Sequence, residues 1–215
     1  MRQALDVVHV PYPNKFRHFA NDLPTDEETI SRDCINWIKN RVMKTTTPPE
    51  EVAGIILEVV QGEGGYIPAP TAFVRELRKL CDEHKALLVL DEIYTGFGRT
   101  GKWFACEHSG VVPDIICLGK ALTGGFPLSA CVGRADVMDA AWPASRGEAI
   151  HTSTFLGHPV GCAMALAQIR ELEESKLPER AAKLGEFLLA ALNEIHSSRF
   201  TLHARGQGLM AGLEL

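Results

Sequence analysis

The chain has 215 residues, of which 46% are hydrophobic and 23% charged, and its formal net charge is −5. That balance can bury a sizeable core and excludes a disordered or fibrous chain. A mildly acidic chain without a basic run offers no electrostatic footprint for nucleic acid or an anionic membrane, which leaves small metabolites as the expected partners. Cys34, Cys81, Cys106, Cys117, Cys131 and Cys162 are scattered without a Cys-x-x-Cys pair, so reduced thiols and a cytoplasmic compartment are expected. No apolar run is long enough to span a bilayer, and Met1 to Asp6 lacks the apolar stretch of a signal peptide.

Read in chain order, Thr45 to Pro49 is a loop. Val52 to Val60 is an apolar run interrupted by one glycine and by Glu58, read here as a strand covered on both faces. Thr71 to His84 carries Phe73, Leu77, Leu80, Cys81 and His84 at helical spacing, with Arg75, Arg78, Lys79 and Glu83 between them. Ala86 to Leu90 and Ile115 to Leu118 read as two further covered strands, so the first strand, the helix and the second strand form a βαβ unit. All three strands are expected to be parallel and central in an α/β fold. His158 to Glu173 is alanine-rich and predicts a mostly buried helix closed by Pro178. Leu184, Phe187, Leu188, Ala191, Leu192 and Ile195 form the apolar stripe of another helix. Gly206-Gln207-Gly208 opens a last segment, Leu209 to Leu215, that stops as a strand begins.

Two residues stand at the ends of predicted strands with chemistry to offer. Asp91 follows Leu87 to Leu90, and Lys120 follows Ile115 to Leu118 and Gly119. Ligands of open α/β sheets bind at the carboxyl ends of the strands. A lysine and a carboxylate delivered there are the two groups needed to hold pyridoxal phosphate. Burial disfavours the ammonium and frees the amine to attack an aldehyde, while the carboxylate keeps the pyridine nitrogen protonated. Singly, each has a plainer reading: a solvated lysine, and an aspartate capping a turn or helix.

The segment Gly96-Phe97-Gly98-Arg99-Thr100-Gly101 also satisfies G-x-G-x-x-G after a strand, with Asp114 near the distance of a ribose-binding acid. A dinucleotide site needs an amphipathic helix opening at those glycines, and Lys102 to Pro113 breaks after two turns, so a tight loop is expected instead. His84, His151 and His158 lack metal-ligand spacing and are expected to be capping or core histidines. Thr154 precedes the helix that begins near Pro159, where its hydroxyl and nearby amides could take a phosphate or cap the helix.

Four segments occur in a fixed order: Glu58-Val-Val-Gln-Gly-Glu63-Gly-Gly-Tyr, Leu90-Asp91-Glu-Ile93-Tyr94-Thr-Gly-Phe-Gly-Arg-Thr-Gly101, Leu118-Gly-Lys120-Ala-Leu-Thr-Gly-Gly125 and His151-Thr-Ser-Thr154-Phe-Leu-Gly-His-Pro159. Together they resemble the class III pyridoxal-phosphate aminotransferases, the family of ornithine, acetylornithine and 4-aminobutyrate aminotransferases, over essentially the whole chain. The resemblance implies a fold type I large domain, mostly parallel sheet flanked by helices and incomplete here. Residues 1–200 would be part of that domain and 201–215 the start of the carboxyl-terminal small domain. Relatives of this family are roughly twice as long, so a glycine-rich phosphate loop and a stacking aromatic residue are expected upstream. The isolated chain's own activity and an organelle-targeting segment are left open.

The resemblance also implies roles. Lys120 holds the cofactor as an internal aldimine and moves a proton between substrate and cofactor carbons. Asp91 pairs with the pyridine nitrogen, Ile93 packs on the ring, and Tyr94 lies near the ring's 3-hydroxyl, where the family commonly has glutamine. Thr154 reaches the phosphate of the neighbouring subunit's cofactor, which implies a homodimer with shared sites. Glu63 pairs with an arginine beyond Leu215 and gates the substrate carboxylate, whereas Glu58 is a structural acid near the site. The implied activity is amino transfer from an amine or amino acid to a keto acid. A decarboxylase, racemase or aminomutase on the same fold, or a non-catalytic fragment, would carry the same motifs.

Overall fold

The computed structural model describes residues 6–21, 25–144, 147 and 151–215. Most of the amino-terminal stretch read for a signal peptide, residues 1–5, lies outside them. The first helix, α1 (Glu27–Trp37), is started by Asp26, whose side chain accepts the Thr29 amide at 2.8 Å. Glu27 and Glu28 complement the positive end of its dipole. A π-turn over Ile38–Val42 leads into the short α2 (Met43–Thr45).

The sheet is built from β1 (Gly54–Glu58), β4 (Leu87–Asp91), β5 (Ile115–Leu118) and β6 (Ala130–Gly133), in the spatial order β1-β4-β5-β6. β1 pairs with β4 and β4 with β5 in parallel, and β6 joins antiparallel. The helix α3 (Thr71–His84) crosses from β1 to β4 and ends where Lys85 adopts a left-handed φ of 56°. Its buried stripe is Phe73, Val74, Leu77, Leu80 and Cys81, close to the stripe read from spacing. Burying these side chains contributes on the order of 10 kcal/mol before conformational entropy is charged against it.

The coverage of the strands differs from expectation. The register aligns Ile55 and Leu57 with Leu88 and Leu90, and Leu90 with Ile116. These side chains share one face, which packs against α1, α3 and the helix α5 (Pro159–Glu174). On the other face Ile56 and Cys131 are exposed, while Leu87, Val89, Ile115 and Cys117 are only half-buried. The run Val52 to Val60 is also not one strand. β1 ends at Glu58, and Val60–Gln61 forms β2, which turns back to pair with β3 (Ile67–Pro68). β1 lies at the edge of this sheet, so the central pair is β4 and β5.

A short helix, α4 (Ala135–Ala141), follows β6. The predicted buried helix at 158–173 forms as α5, but only Gly161, Ala165 and Leu172 are buried, while Val160 and Leu166 are more than half exposed. Alanine richness reports helix propensity here, not burial. Pro178 does not close α5. It occupies the first turn of α6 (Leu177–Asn193), where a missing amide is harmless. The buried face of α6 is Pro178, Ala181 and Gly185; of the predicted stripe Leu188 and Leu192 are half-buried, while Leu184 and Phe187 point outward, with Phe187 73% exposed.

The chain ends in a hairpin, β7 (His203–Gln207) and β8 (Met210–Glu214). Its turn residue Gly208 has φ 58°, and a Cβ there would lie 2.4 Å from the carbonyl carbon of Thr100. A Cβ on Gly185 would lie 2.3 Å from the Gly208 oxygen. Glycine at both positions lets the hairpin wedge between α6 and the loop at 96–101, where the Leu209 amide donates to the Arg99 carbonyl at 3.0 Å.

Candidate active site

β4 and β5 place their last residues side by side, with Asp91 paired to Cys117 and, across β1, to Glu58. Asp91 is half-buried, and its Oδ1 accepts the Ile93 amide at 2.9 Å. That bond is the turn-forming role of an aspartate, and it occupies one oxygen. Among the described residues, the other takes no hydrogen bond. Glu58 Oε2 accepts the Gly62 amide at 2.9 Å, so it shapes the turn after β1 as a structural acid does.

Lys120 follows the extended Gly119 and has a left-handed φ of 41°. Single non-glycine residues in that region are uncommon and cluster at functional sites. The side chain was expected to be buried; it is exposed, and its Nζ stands 4.4 Å from the centroid of the Tyr94 ring. A cation over an aromatic face is held by the ring quadrupole. Gly119 makes room for Ile93, because a Cβ there would lie 3.3 Å from the Ile93 Cγ2. Ile93, Tyr94 and Lys120 are thus neighbours.

A cavity of about 500 Å³ opens beside this group, lined among others by Tyr66, Tyr94, Arg99, Lys120, Gln168 and Met210. Its size is in the range of cofactor pockets. Asp91 and Ile93 do not line it, and neither do Glu63 and Thr154. A second cavity of about 350 Å³, between the segment Pro13 to Phe16 and β7, holds none of the predicted site residues.

Glu63 is exposed, and its charge adds a lesser upward push to the Tyr66 phenol, which is raised first by its bond to Tyr94. Thr154 is exposed in a turn before α5. It does not cap that helix, because the cap is His158, whose Nδ1 accepts the Gly161 amide at 3.5 Å. The structure therefore brings Lys120, Tyr94, Ile93 and Asp91 to one edge and leaves Thr154 and Glu63 outside the cavity.

The glycine segment at 96–101 is a run of turns followed by a single 3₁₀ turn, Ala105–His108. Gly98 and Gly101 lie against Pro178 and Ala182 of α6. Asp114 stands before β5, at the end opposite Lys120. It accepts Arg78 and Arg134 at 2.7 Å each and the Leu88 amide at 2.8 Å. It is an internal brace and not a ribose ligand. Among the described residues no group of three or more histidine, cysteine, aspartate or glutamate side chains is placed to hold a metal.

Sequence reading missed three residues that shape the site. Glu92 is fully buried and accepts the amides of Ala105 and Cys106 at 2.9 and 2.8 Å and the Thr95 hydroxyl. Burial pushes its carboxyl up despite these bonds. Tyr12 donates its hydroxyl to the Glu58 carbonyl at 2.9 Å, tying the amino-terminal segment to the end of β1. Tyr66 meets the Tyr94 hydroxyl at 3.1 Å from a loop 28 residues earlier. Its place after Gly64-Gly65 was visible, but its partner was not.

The residues fit pyridoxal phosphate in donor chemistry. An amine and a carboxylate come from neighbouring strands to one end of the sheet, and the apolar Ile93 lies nearby against Gly119. The chain matches the class-III aminotransferase family over residues 3–215. It is 43% identical over 193 residues to the 5-aminovalerate aminotransferase DavT of Pseudomonas putida, covering 89% of this chain and 44% of that protein. It is 38% identical over 211 residues to the leucine/methionine racemase of Thermococcus litoralis, covering 98% of this chain and 46% of that protein. An amine transaminase from an uncultivated Pseudomonas species, solved in its PLP-bound internal aldimine form, superimposes with a TM-score of 0.83 at 34% identity, over 93% of this chain and 45% of that one. The chain thus spans less than half the length of these relatives. On the match over residues 3–215, it belongs to the class-III aminotransferase family.

Proposed function

We propose that this chain carries the lysine-bearing part of a pyridoxal-phosphate transaminase site. The observation that carries the reading is the delivery of Lys120 and Asp91 to one sheet edge by adjacent parallel strands, with Tyr94 under the amine. Pyridoxal phosphate, when bound, supplies an electron sink for a substrate carbanion. Lys120 is the residue that holds it covalently, and Nζ, once free, is the atom that takes and returns the substrate proton. The unengaged Asp91 oxygen is the acceptor for the pyridine N–H, a charge-assisted bond. Ile93 would supply an apolar contact to the ring, and the Tyr94 hydroxyl would stand in for the glutamine amide at the 3-hydroxyl. Glu63 gates the substrate carboxylate, and Thr154 serves the phosphate of a partner subunit in a homodimer.

The reaction proposed is amino transfer from an amine or amino acid to a keto acid. Residues 1–200 are proposed as the large domain and 201–215 as the start of a small one. The cytoplasm is the proposed compartment, supported by six free cysteines, of which Cys34, Cys81 and Cys106 are buried. No helix among the described residues is long and apolar enough to cross a membrane.

The test is borohydride reduction of the full chain in the presence of pyridoxal phosphate. The cofactor is expected to become fixed to the peptide carrying Lys120, and Lys120→Ala to abolish both the label and turnover while the circular dichroism is unchanged. Label on a different lysine contradicts the assignment. The likeness to a racemase supports a second reading, in which the same residues invert an amino acid. Product analysis with and without a keto-acid acceptor separates the two, because only amino transfer requires the acceptor.

A further inference from the structure

The Tyr66 loop is fixed from several sides, although Tyr66 itself has no role in the proposed site. Its backbone turns on Gly62, whose carbonyl accepts the Gly65 and Tyr66 amides at 3.0 and 3.3 Å. The Gly65 carbonyl in turn accepts the Arg205 Nε of β7 at 2.8 Å. Arg205 is itself held by Glu214 of β8, which also pairs with Arg17. So anchored, Tyr66 keeps a left-handed φ of 54°, a conformation that aromatic residues hold only where the surroundings impose it. What the constraint achieves is the placement of one hydroxyl. Tyr66 Oη lies 3.1 Å from Tyr94 Oη, with the two ring centroids 6.0 Å apart. The bond holds the tip of the Tyr94 side chain, and the Lys120 amine rests over that ring.

We propose that Tyr66 is a positioning residue for Lys120, acting through Tyr94: the phenol pair holds the Tyr94 ring as the resting face for the Lys120 ammonium. This deepens the transaminase reading, on which its catalytic meaning rests, by naming what holds the lysine when it is not engaged. Arg205 and Glu214 make the carboxyl-terminal hairpin the outer support of the same loop. The Tyr66 phenol is also raised above its ordinary range, first by its bond to Tyr94.

The test is competitive acetylation of lysines in the cofactor-free full chain, read by mass spectrometry, with exposed Lys79 as the internal standard. An ammonium held on an exposed aromatic face is protected by about two- to fivefold, so Tyr94→Leu is expected to raise Lys120 labelling by that factor. Tyr66→Phe, which keeps the ring and removes only the hydroxyl, is expected to raise it in the same direction. Tyr94→Phe removes the other half of the bond and must reproduce Tyr66→Phe. Adding Tyr66→Phe to Tyr94→Leu is expected to change nothing further, because the two act through one contact. Wild-type labelling in Tyr66→Phe and Tyr94→Phe, or effects that add in the double variant, overturn the proposal. Failure of the full-length protein to bind pyridoxal phosphate, with the labelling pattern intact, overturns the transaminase reading and leaves the positioning of Lys120 standing.

Discussion

At the scale of single residues, Asp91 has a structural bond and a proposed role at the cofactor. One oxygen closes the turn to Ile93, and the other is the one to which the proposed reading assigns the pyridine nitrogen. Asp91→Asn keeps the shape and a turn-forming oxygen but removes the negative charge. Turnover is expected to fall on the order of a hundredfold or more, as for the loss of other preorganised electrostatic contacts, with cofactor affinity reduced less. Steady-state kinetics beside a cofactor titration checks this, and a near-normal rate would make Asp91 a turn residue only. The carboxylate, the lysine and the order of motifs were legible in sequence. The exposure of Lys120 and its rest on Tyr94 were not, because a side chain's neighbours depend on loops that meet only after folding.

At the scale of elements, Asp114 joins α3, β4 and the start of α4 at the end of the sheet away from Lys120. Burial pushes its carboxyl up, but the Leu88 amide and the Arg78 and Arg134 guanidiniums outweigh that and hold it below its ordinary range. A carboxyl lowered on folding stabilises the native state above its unfolded pKa, about 3.9, and loses that contribution as pH falls through the lower folded value. Asp114→Ala is expected to cost about 3 kcal/mol at neutral pH. It orphans the buried Leu88 amide and removes the better-buried partner of Arg78, which keeps Asp82 at 2.7 Å. Urea unfolding should show the gap between wild type and variant narrowing as the pH is lowered past that value. A gap independent of pH would mean that the charge contributes nothing. Sequence reading set aside Asp114 as a ribose ligand because no helix was expected to open at Gly96 to Gly101; the structure shows turns there and makes Asp114 a brace.

At the scale of the whole molecule, the open features are the half-covered sheet face, the outward stripe of α6 and the turn bearing Thr154, which meets none of the other site residues at the cavity. If Thr154 serves a partner's cofactor, mixing full chains bearing Lys120→Ala and Thr154→Ala should restore activity. In a mixed dimer both lesions fall in one site, and the other keeps its own lysine and its partner's threonine. Thr154→Ala homodimers must first be shown to be impaired. No gain despite demonstrated subunit exchange would place Thr154 outside any shared site.

The sequence alone determined the α/β class, the βαβ unit around α3 and the membership of Lys120 and Asp91 in one motif order. These follow from apolar periodicity and from short segments whose chemistry is local. Only the tertiary structure decided which face of the sheet is covered, that β1 ends at Glu58 and that α5 is largely exposed. It also decided that Tyr66 meets Tyr94. An apolar run reports that side chains favour burial, but not which element arrives to bury them. A hydrogen bond between residues 28 positions apart leaves no trace in the spacing of either.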